Sequence, residues 1–320
     1  MTNQRRILAI EGLTKSFPVG FWRKPVRVLS DLSFDVYENE VVGFLGPNGA
    51  GKTTTIKILN RLAFADAGRA TLFGEDVREG KEFRRRIGFM PEQPYFYEYL
   101  TAVEFLRLCG QLCGMTREET DSRSAKLLSR VGLEGARSLA IRKYSKGMMQ
   151  RLGLAQALLH DPELVILDEP MSGLDPMGRM EVRNLIRELK AAGKTVFFSS
   201  HIISDVEALC DRVIMLHKGE KVAEGRVEEL IGSQILYVEM VVSPVLGPDR
   251  LAEIGISPGV GEKQGNLLVL RAPGTGEANR WMAALLSADC SIHSCLPVKK
   301  NLEEIFLERV GEGVLEGKRN

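Results

Sequence analysis

Short apolar runs and amphipathic stretches alternate along the first two thirds of the chain. Residues 28–36 alternate apolar and polar positions with a period of about two, which is typical of a half-buried antiparallel strand, and Ile7–Ile10 predicts another strand. Three runs have the near-continuous apolar character of buried parallel strands: Val41–Leu45, Leu164–Leu167 and Thr195–Phe198. Helix-forming sequence at 177–190 separates the last two. Strand, helix and strand in this order predict a parallel sheet with right-handed crossovers.

The rest of the pattern predicts a largely helical segment and then a region in which short strands and helices alternate. Helical periodicity runs through most of 101–159, with breaks at Gly114 and Gly132, and a further helix is expected at about 53–62. After Leu230 the chain alternates strands and helices with loops rich in Gly and Pro. The strands are expected at 235–242 and 267–270, and the helices near 278–286 and 302–310. This second pattern predicts a small α+β domain.

A glycine-rich loop follows the first buried run. Its residues fit the pattern G-x-x-x-x-G-K-[ST] without a mismatch, and Thr54 comes next: Gly46, Pro47, Asn48, Gly49, Ala50, Gly51, Lys52 and Thr53. Glycines let successive backbone N–H groups point at one anion, and the following helix adds the positive end of its dipole. We expect Lys52 to reach the β- and γ-phosphates of a nucleoside triphosphate and the Thr53 hydroxyl to bind Mg²⁺. A chance glycine-rich turn would not explain the position between a buried strand and a helix.

The second buried run ends in two carboxylates, Asp168 and Glu169. A strand of an open α/β fold carries such residues to the carboxyl edge of the sheet, where ligands bind. We expect Asp168 to hold the Mg²⁺ shell and Glu169 to orient or deprotonate the attacking water. Carboxylates at a strand end also occur for solvation alone. Together with the glycine-rich loop upstream, however, they predict a site that hydrolyses a nucleoside triphosphate.

Composition narrows the class of protein. The 320 residues carry 43 Lys and Arg against 42 Asp and Glu, so a nucleic acid is not expected as a partner. No apolar window approaches the roughly 18 to 20 residues of a membrane span, and no secretory signal opens the chain. The five cysteines are scattered without a C-x-x-C pair, which favours structural thiols over zinc ligands or disulfides. These features predict a cytoplasmic location.

The segment Tyr144–Arg151, about twenty residues before the carboxylates, resembles the L-S-G-G-Q signature of ABC ATPases. Ser145 and Gly147 match the Ser and the second Gly, whereas Lys146 and Met148 replace the first Gly and the Gln. This Y-S-K-G-M form is similar to the one in the exporting branch with separate membrane subunits. By its chemistry alone Ser145 is a good helix N-cap. The resemblance implies in addition that it meets the γ-phosphate of ATP bound to a second copy of the chain.

Further segments match the family in its order along the chain. Gln93 matches the Q-loop glutamine, which the resemblance implies contacts Mg²⁺ or the attacking water. His201, after the third buried run, matches the H-loop histidine and implies a γ-phosphate contact. Phe17 lies where the family places the aromatic residue that stacks on adenine, and Phe21 and Trp22 are nearby rivals. The D-loop, which in the family crosses the dimer interface, is matched by Ser172, Gly173, Leu174 and Asp175.

Two segments bear on partners. Tyr95–Leu100 has four aromatic residues in six, and beside Gln93 this favours a groove for a helix of a membrane subunit, with core burial as the alternative. Residues 301–308 resemble a terminal helix of the drug-resistance and multidrug exporter branch. By pattern alone they are the buried face of an amphipathic helix.

The resemblance implies an α/β P-loop NTPase fold: a RecA-like core with an antiparallel β subdomain and a helical subdomain, followed by the small α+β domain. The domains are expected at 1–232, with the helical subdomain at about 95–160, and at 235–311, with a tail at 312–320. The implied function is that of the ATP-binding and hydrolysing subunit of an ABC transporter, and the resemblance favours an exporter over an importer.

The implied partners are a second copy of the chain and polytopic permease subunits, which would hold it at the inner face of the cell membrane. The implied cofactors are ATP and Mg²⁺. A soluble ABC-type ATPase acting on a nucleoprotein or repair complex is the alternative, although its usual double cassette, coiled coil or zinc cysteines do not appear. A P-loop GTPase would leave the Ser145 and His201 segments unexplained.

Overall fold

The computed structural model describes residues 4–18, 25–232, 235–257 and 261–316, with side chains as far as residue 311. The chain divides into two compact units. The second unit is Glu228–Glu308, and the first comprises the chain up to Val227 and from Arg309 onward. The division after Val227 lies a few residues before the boundary that the sequence predicts.

The first unit contains ten strands and six complete α-helices within its described residues, and a seventh α-helix begins at Val227 and continues into the second unit. The strands are β1 (Arg6–Phe17), β2 (Val26–Tyr37), β3 (Val41–Leu45), β4 (Ala67–Leu72), β5 (Glu75–Asp76), β6 (Ile87–Met90), β7 (Leu164–Leu167), β8 (Thr195–Ser200), β9 (Arg212–His217) and β10 (Glu220–Arg226). The helices are α1 (Lys52–Leu59), α2 (Ala102–Leu112), α3 (Arg117–Arg130), α4 (Lys146–Leu158), α5 (Pro176–Ala191), α6 (Ile203–Leu209) and α7 (Val227–Ile231).

Two sheets form the core of this unit. One has the order β2-β1-β4-β5 and is antiparallel, and the other has the order β10-β9-β3-β8-β7-β6. Neighbouring strands of the larger sheet run parallel, except that β10 pairs antiparallel with β9. The rings of Phe34 in β2, Phe44 in β3 and Phe197 in β8 pack with centroids 5.3 to 5.9 Å apart, which joins the two sheets. The predicted α/β class with a parallel sheet is confirmed.

The predicted helical subdomain contains α2, α3 and α4. At the start of α2 the Thr101 hydroxyl accepts the backbone N–H of Glu104, whose carboxylate accepts the N–H of Thr101, and Thr116 begins α3 in the same way. Both predicted breaks are confirmed. Gly114 and Gly132 have φ angles of 78° and 68° just after α2 and α3, where a left-handed residue ends a helix.

The packing of α4 on β6 leaves no room for a side chain at Gly88. A Cβ atom there would lie 2.1 Å from the carbonyl oxygen of Ala157. We therefore expect Gly88→Ala to lower the free energy of unfolding, measured by urea denaturation, by about 1–3 kcal/mol. Gly135→Ala is the control, because no atom lies within 4 Å of a Cβ at Gly135. Equal losses in the two variants would contradict this account of the helix–strand contact.

The second unit is a four-stranded antiparallel sheet of order β12-β13-β11-β14. Its elements are β11 (Ile235–Ser243), α8 (Pro248–Glu253), β12 (Gly261–Gln264), β13 (Leu267–Ala272), α9 (Thr275–Ser287) and β14 (Ser291–Lys299), and α10 (Leu302–Glu316) follows. The βαββαβ order with this strand arrangement is that of ferredoxin-like folds. Val238 and Met240 of β11 share a core with Trp281 and Leu285 of α9. This is the α+β architecture that the sequence predicts.

The structure also bears on membrane-spanning helices and on the state of the cysteines. Among the described residues, no helix is long and apolar enough to span a bilayer. The five cysteines are all free thiols. Burial raises the pKa of the Cys109 thiol to about 11, so this group stays protonated and unreactive at neutral pH.

Candidate active site

The glycine-rich loop joins β3 to α1. Gly51 has a φ angle of 108°, which residues with a side chain avoid, and it is the N-cap of α1. A Cβ atom at Gly46 would lie 2.4 Å from the carbonyl oxygen of Leu216 on β9, so this position also requires glycine. The loop can therefore pass tightly between a central strand and the N-terminus of a helix. Such an arrangement binds phosphate groups through backbone N–H donors.

Three neighbouring strands bring the predicted residues to one edge of the large sheet. β3, β8 and β7 lie side by side and run parallel. The glycine-rich loop follows β3, His201 follows β8, and Asp168 and Glu169 follow β7. Because the carboxyl ends of parallel strands meet at the same edge, residues more than a hundred positions apart become neighbours. The central position of β8 places its histidine next to the carboxylates of β7.

Glu169 is buried and held between two polar side chains. Its Oε1 lies 3.2 Å from Lys52 Nζ, and its Oε2 lies 2.8 Å from His201 Nδ1. The Lys52 side chain is only 5% exposed, and its ammonium also donates to the carbonyl oxygen of Gly46 at 2.7 Å. Glu169 has a φ angle of 49°, a left-handed conformation that costs a residue with a side chain about 1–3 kcal/mol. Strain of this kind at a buried polar centre is typical of a functional site.

Asp168 lies at the other side of the same turn. Its Oδ1 accepts hydrogen bonds from Ser199 Oγ at 2.6 Å and from Thr53 Oγ1 at 3.3 Å. Burial raises the pKa of the Asp168 carboxyl above its ordinary value; the two hydrogen bonds oppose this rise, and the charges of Glu92 and Glu169 add to it. Three carboxyl groups are thus close enough to influence one another. A cation at this point would relieve their repulsion.

A cavity of about 300 Å³ lies beside the loop. Its lining residues are Val28, Asn48, Gly49, Gly51, Lys52, Thr53, Thr54, Glu92, Glu169, Ser172 and His201. Gly46, Pro47 and Ala50 belong to the same loop but do not line the cavity. The lining combines loop amides and an ammonium group with carboxylates and an imidazole. This set can hold a phosphate chain against the loop with a carboxylate base beside it.

The acidic residue of the Q-loop segment, rather than the glutamine, reaches this cavity. Glu92 lines it, whereas Gln93 does not and instead lines a neighbouring groove. The metal or water contact that the resemblance implies for Gln93 stays a prediction; in this structure its neighbour Glu92 is the residue of the segment that lines the cavity. Both residues lie in the segment that follows β6, which ends at Met90.

Phe17 stays a prediction as the residue that stacks on adenine. It ends β1, is 40% exposed, and is not among the residues that line the cavity. The ammonium of Lys15 lies 5.1 Å from the centre of its ring, which is a cation–π distance. Its rivals Phe21 and Trp22 lie outside the described residues. Val28 of β2 is the apolar side chain that the structure places in the cavity wall.

The residues of the predicted signature lie away from the cavity of their own chain. Ser145 is the N-cap of α4, as its chemistry predicts, and its hydroxyl accepts the backbone N–H of Met148 at 3.3 Å. Ser145 and Lys146 are exposed, and neither they nor Gly147 and Met148 line the cavity. A Cβ atom at Gly173 would lie 2.7 Å from Lys146 Nζ, so the lysine side chain contacts the D-loop at Gly173.

The D-loop connects the carboxylates to α5. The backbone N–H of Ser172 donates to the carbonyl oxygen of Glu169 at 3.0 Å, and Ser172 also lines the cavity. Leu174 is nearly buried. Asp175 is the N-cap of α5 and accepts the backbone N–H of Gly178 at 2.8 Å. One end of the D-loop therefore contacts the site, and the other end begins a helix.

A second cavity, of about 380 Å³, forms the groove on the far side of the Q-loop segment. Its lining residues are Glu92, Gln93, Pro94, Tyr95, Phe96, Glu98, Ile141, Lys146, Met149 and Gln150. Tyr95 is 92% exposed and Tyr99 is 74% exposed, whereas Phe96 packs edge-on against Phe105 of α2. Core burial therefore does not account for the tyrosines. Glu92 lines both cavities, which places one side chain at the boundary between them.

Two residues that the sequence analysis does not single out support the site. The Ser199 hydroxyl contacts both Asp168 and the backbone N–H of Glu169. The buried Gln150 of α4 donates from Nε2 to the carbonyl oxygen of Pro170 at 3.2 Å, which ties α4 to the turn after β7. The position of Ser199 near the end of β8, two residues before His201, is a signal that could have identified it. Gln150 lies in the segment Tyr144–Arg151 but outside the five positions that align with L-S-G-G-Q, and nothing in the sequence marks it as a contact of the site.

Comparisons with known proteins agree with this geometry. The sequence profile of the ABC transporter family matches residues 29–172. An ABC transporter ATP-binding protein of Synechocystis is 39% identical over 316 residues, which cover 97% of this chain and 86% of that protein. The Nod factor export ATP-binding protein I of Burkholderia orbicola is 39% identical over 226 residues, covering 70% of this chain and 73% of that protein.

A solved structure gives the same result for the fold. A dimeric ATP-binding cassette in a post-hydrolysis state, bound to ADP and Pi, superposes with a TM-score of 0.64 at 26% identity. The superposition covers 69% of this chain and 99% of that one. The match to the Synechocystis protein extends over nearly the whole length of both chains, and the nucleotide motifs lie in the family's order. The chain therefore belongs to the ATP-binding proteins of ABC transporters, a family of ATPases.

Proposed function

We propose that this subunit powers export through separate membrane subunits, by closing on ATP and Mg²⁺ as a pair of identical chains and reopening after hydrolysis. The observation that carries the proposal is the setting of Glu169. This buried carboxylate lies between Lys52 and His201 at the edge of the cavity beside the glycine-rich loop. A water molecule between Glu169 and a γ-phosphate held by Lys52 would meet a base within hydrogen-bond reach.

The residues near Thr53 fit Mg²⁺. Within the described part of the chain, no three His, Cys, Asp or Glu side chains converge to hold a metal on their own. Mg²⁺ in phosphate sites needs fewer protein ligands, because phosphate oxygens and water complete its shell. Thr53 Oγ1 and Asp168 Oδ1 lie 3.3 Å apart. The pKa of Asp168 is raised by burial first and by the charges of Glu92 and Glu169 second, and a cation would offset those two charges. Thr53 and Asp168 would hold the ion, with Glu92 beside them, and the ion would neutralise phosphate charge.

A second copy of the chain would complete each site. The exposed N-terminus of α4, with Ser145 and Gly147, does not line the cavity of its own chain, so it is free to face the nucleotide on a partner copy. The D-loop already touches Lys146 and the cavity at Ser172, which would connect the two halves of the site. The dimeric cassette bound to ADP and Pi supports this arrangement by its similarity.

The groove beside the Q-loop would receive the membrane subunits. It is open, lined by aromatic and aliphatic side chains, and bordered by Glu98 and Lys146, which is the composition of a helix-binding groove. Since Glu92 lines both the groove and the nucleotide cavity, a helix that shifts in the groove would displace a side chain at the γ-phosphate end. The direction of transport is proposed from the export function in the name of the Burkholderia relative and from the resemblance at 301–308.

Docking in the groove gives a direct test. We expect a tagged chain, purified from detergent-solubilised membranes of its host, to carry a polytopic membrane protein identified by mass spectrometry. Tyr95→Ala should reduce the recovery of that protein about tenfold, because Tyr95 lines the groove and is 92% exposed. Tyr99→Ala is the control, since Tyr99 is exposed but does not line the groove. Purification without any polytopic protein would contradict the transporter role and favour a soluble ATPase.

A further inference from the structure

Ser199 places one hydroxyl between the two carboxylates of the active site. Its side chain is completely buried near the end of β8. Its Oγ donates to Asp168 Oδ1 at 2.6 Å and accepts the backbone N–H of Glu169 at 2.8 Å. A hydroxyl has one proton and two lone pairs, so these two bonds are compatible. The hydroxyl proton is donated to Asp168, because the backbone N–H of Glu169 cannot accept a hydrogen bond.

The hydrogen bond to the backbone N–H stabilises an uncommon conformation of the catalytic glutamate. Glu169 has a φ angle of 49°, which residues with a side chain rarely adopt. Its N–H is buried in a turn and has the Ser199 hydroxyl as its acceptor, so this bond compensates part of the strain. The adjacent residue is bonded differently, since the N–H of Asp168 donates to the carbonyl oxygen of Met90 on β6. The left-handed turn at Glu169 therefore depends on a side chain of β8.

The same strand also fixes the other end of Glu169. His201, just after β8, lies 2.8 Å from Glu169 Oε2. β8 thus contacts the glutamate at its backbone through Ser199 and at its carboxylate through His201. The bond from Ser199 to Asp168 adds the second carboxylate to the same rigid strand. Displacement of a reacting group by as little as 1 Å can cost about a hundredfold in rate.

We propose that Ser199 is a positioning residue for hydrolysis, whose hydroxyl sets the direction in which Glu169 faces the attacking water. The inference rests on the proposed role of Glu169 as the base. If Ser199 has this role, loss of its hydroxyl slows the hydrolysis step more than it weakens nucleotide binding. The glycine-rich loop and Lys52 hold the phosphates, and neither has a hydrogen bond to Ser199.

The test compares hydroxyl removal at the two ends of β8. In Ser199→Ala we expect kcat for ATP hydrolysis to fall about 10–100-fold, while the KM for ATP changes less than about threefold. The control is Thr195→Val at the opposite end of β8, where a buried hydroxyl accepts the backbone N–H of Asn39 far from the carboxylates. Its kcat should stay within about threefold of wild type. Ser199→Thr, which keeps the hydroxyl, should recover most of the loss.

Hydrogen exchange of backbone amides tests the hydrogen bond between Ser199 and Glu169 independently of the rate of ATP hydrolysis. We expect the Glu169 amide to exchange with solvent at least about tenfold faster in Ser199→Ala, because its hydrogen-bond acceptor is gone. The Asp168 amide, bonded to Met90, should keep its protection and serves as an internal control. If Ser199→Ala fails to fold, Ser199→Cys keeps the volume with a weaker hydrogen-bonding group and should show the same changes.

The outcomes separate this inference from the proposed function. A wild-type kcat in Ser199→Ala, a loss equal to that of Thr195→Val, or a change confined to KM would overturn the role of Ser199. If Glu169→Gln stops turnover while Ser199→Ala does not, only the positioning role fails. If Glu169→Gln retains turnover, the base assignment fails and the role of Ser199 fails with it.

Discussion

Glu169→Gln is expected to reduce ATP hydrolysis by about a hundredfold to ten-thousandfold while ATP still binds. An amide keeps the size and hydrogen-bonding reach of the carboxylate but cannot accept a proton from water at neutral pH. The glycine-rich loop and Lys52, which we propose hold the phosphates, are unchanged by the substitution. The rate is measured as phosphate release under saturating ATP and Mg²⁺. Because ATP would persist between two copies, the variant should also elute as a dimer with ATP on size-exclusion chromatography.

Glu163→Gln provides a matched control for the same chemical change. Glu163 lies just before β7, pairs with Arg86, and is 50% exposed, whereas Glu169 follows β7 and its side chain is 9% exposed. Exposed ion pairs contribute little, so hydrolysis by this variant should stay within about twofold of wild type. If both variants hydrolyse ATP at similar rates, Glu169 is not the base. If Glu169→Gln stops turnover and remains a monomer with ATP, the base is correct and the two-copy site is wrong.

The nucleotide site could be predicted from sequence to the extent that its chemistry depends on local backbone. A phosphate loop requires glycines at fixed spacing, and a strand that ends in carboxylates leaves an apolar run before Asp168. The structure adds the order of the strands, which sequence does not encode locally. The position of β8 between β3 and β7 explains why His201 meets Glu169. The same order brings Ser199 to both carboxylates, a contact that depends on two strands packing together.

Side-chain direction distinguishes the two neighbouring residues Glu92 and Gln93 of the Q-loop segment. A resemblance locates a segment, but a shift of one residue in a turn changes which cavity a side chain enters. Gln93 lines the groove, and Glu92 lines both the groove and the cavity beside the glycine-rich loop. The consequence is chemical, because a carboxylate adds negative charge near Asp168 where an amide would not. That charge contributes to the raised pKa of Asp168.

Weak periodicity accounts for three of the strands that were not predicted, β6, β12 and β14. β6 has four residues including Gly88, and β12 has four exposed residues without an apolar alternation. β14 contains Pro297 and several polar residues, which is tolerated because it is an edge strand of its sheet. Such segments become strands through pairing with strongly patterned neighbours, β7, β13 and β11. Local propensity alone does not reveal them.

Lys52→Ala is expected to weaken ATP binding about 10–100-fold, measured by equilibrium titration with a fluorescent ATP analogue. Hydrogen bonds to a charged group contribute about 1.5–3 kcal/mol, and the lysine would supply them to two phosphates. The ammonium is already directed by the loop, since it donates to the carbonyl oxygens of Gly46 and Pro47 at 2.7 and 3.2 Å. To meet a phosphate, the ammonium would exchange one of these contacts for a phosphate oxygen. Its removal also leaves the buried Glu169 without its cationic neighbour.

Lys57→Ala separates a specific phosphate contact from general charge. Lys57 lies on α1, five residues after Lys52, and is exposed to solvent. Its removal changes the net charge of the chain by the same amount, but screening limits its effect on a nucleotide in the cavity. We expect its ATP affinity to stay within about twofold of wild type. Equal affinity losses in the two variants would mean that the nucleotide is attracted by overall charge. Wild-type affinity in Lys52→Ala would mean that the phosphates lie away from the glycine-rich loop.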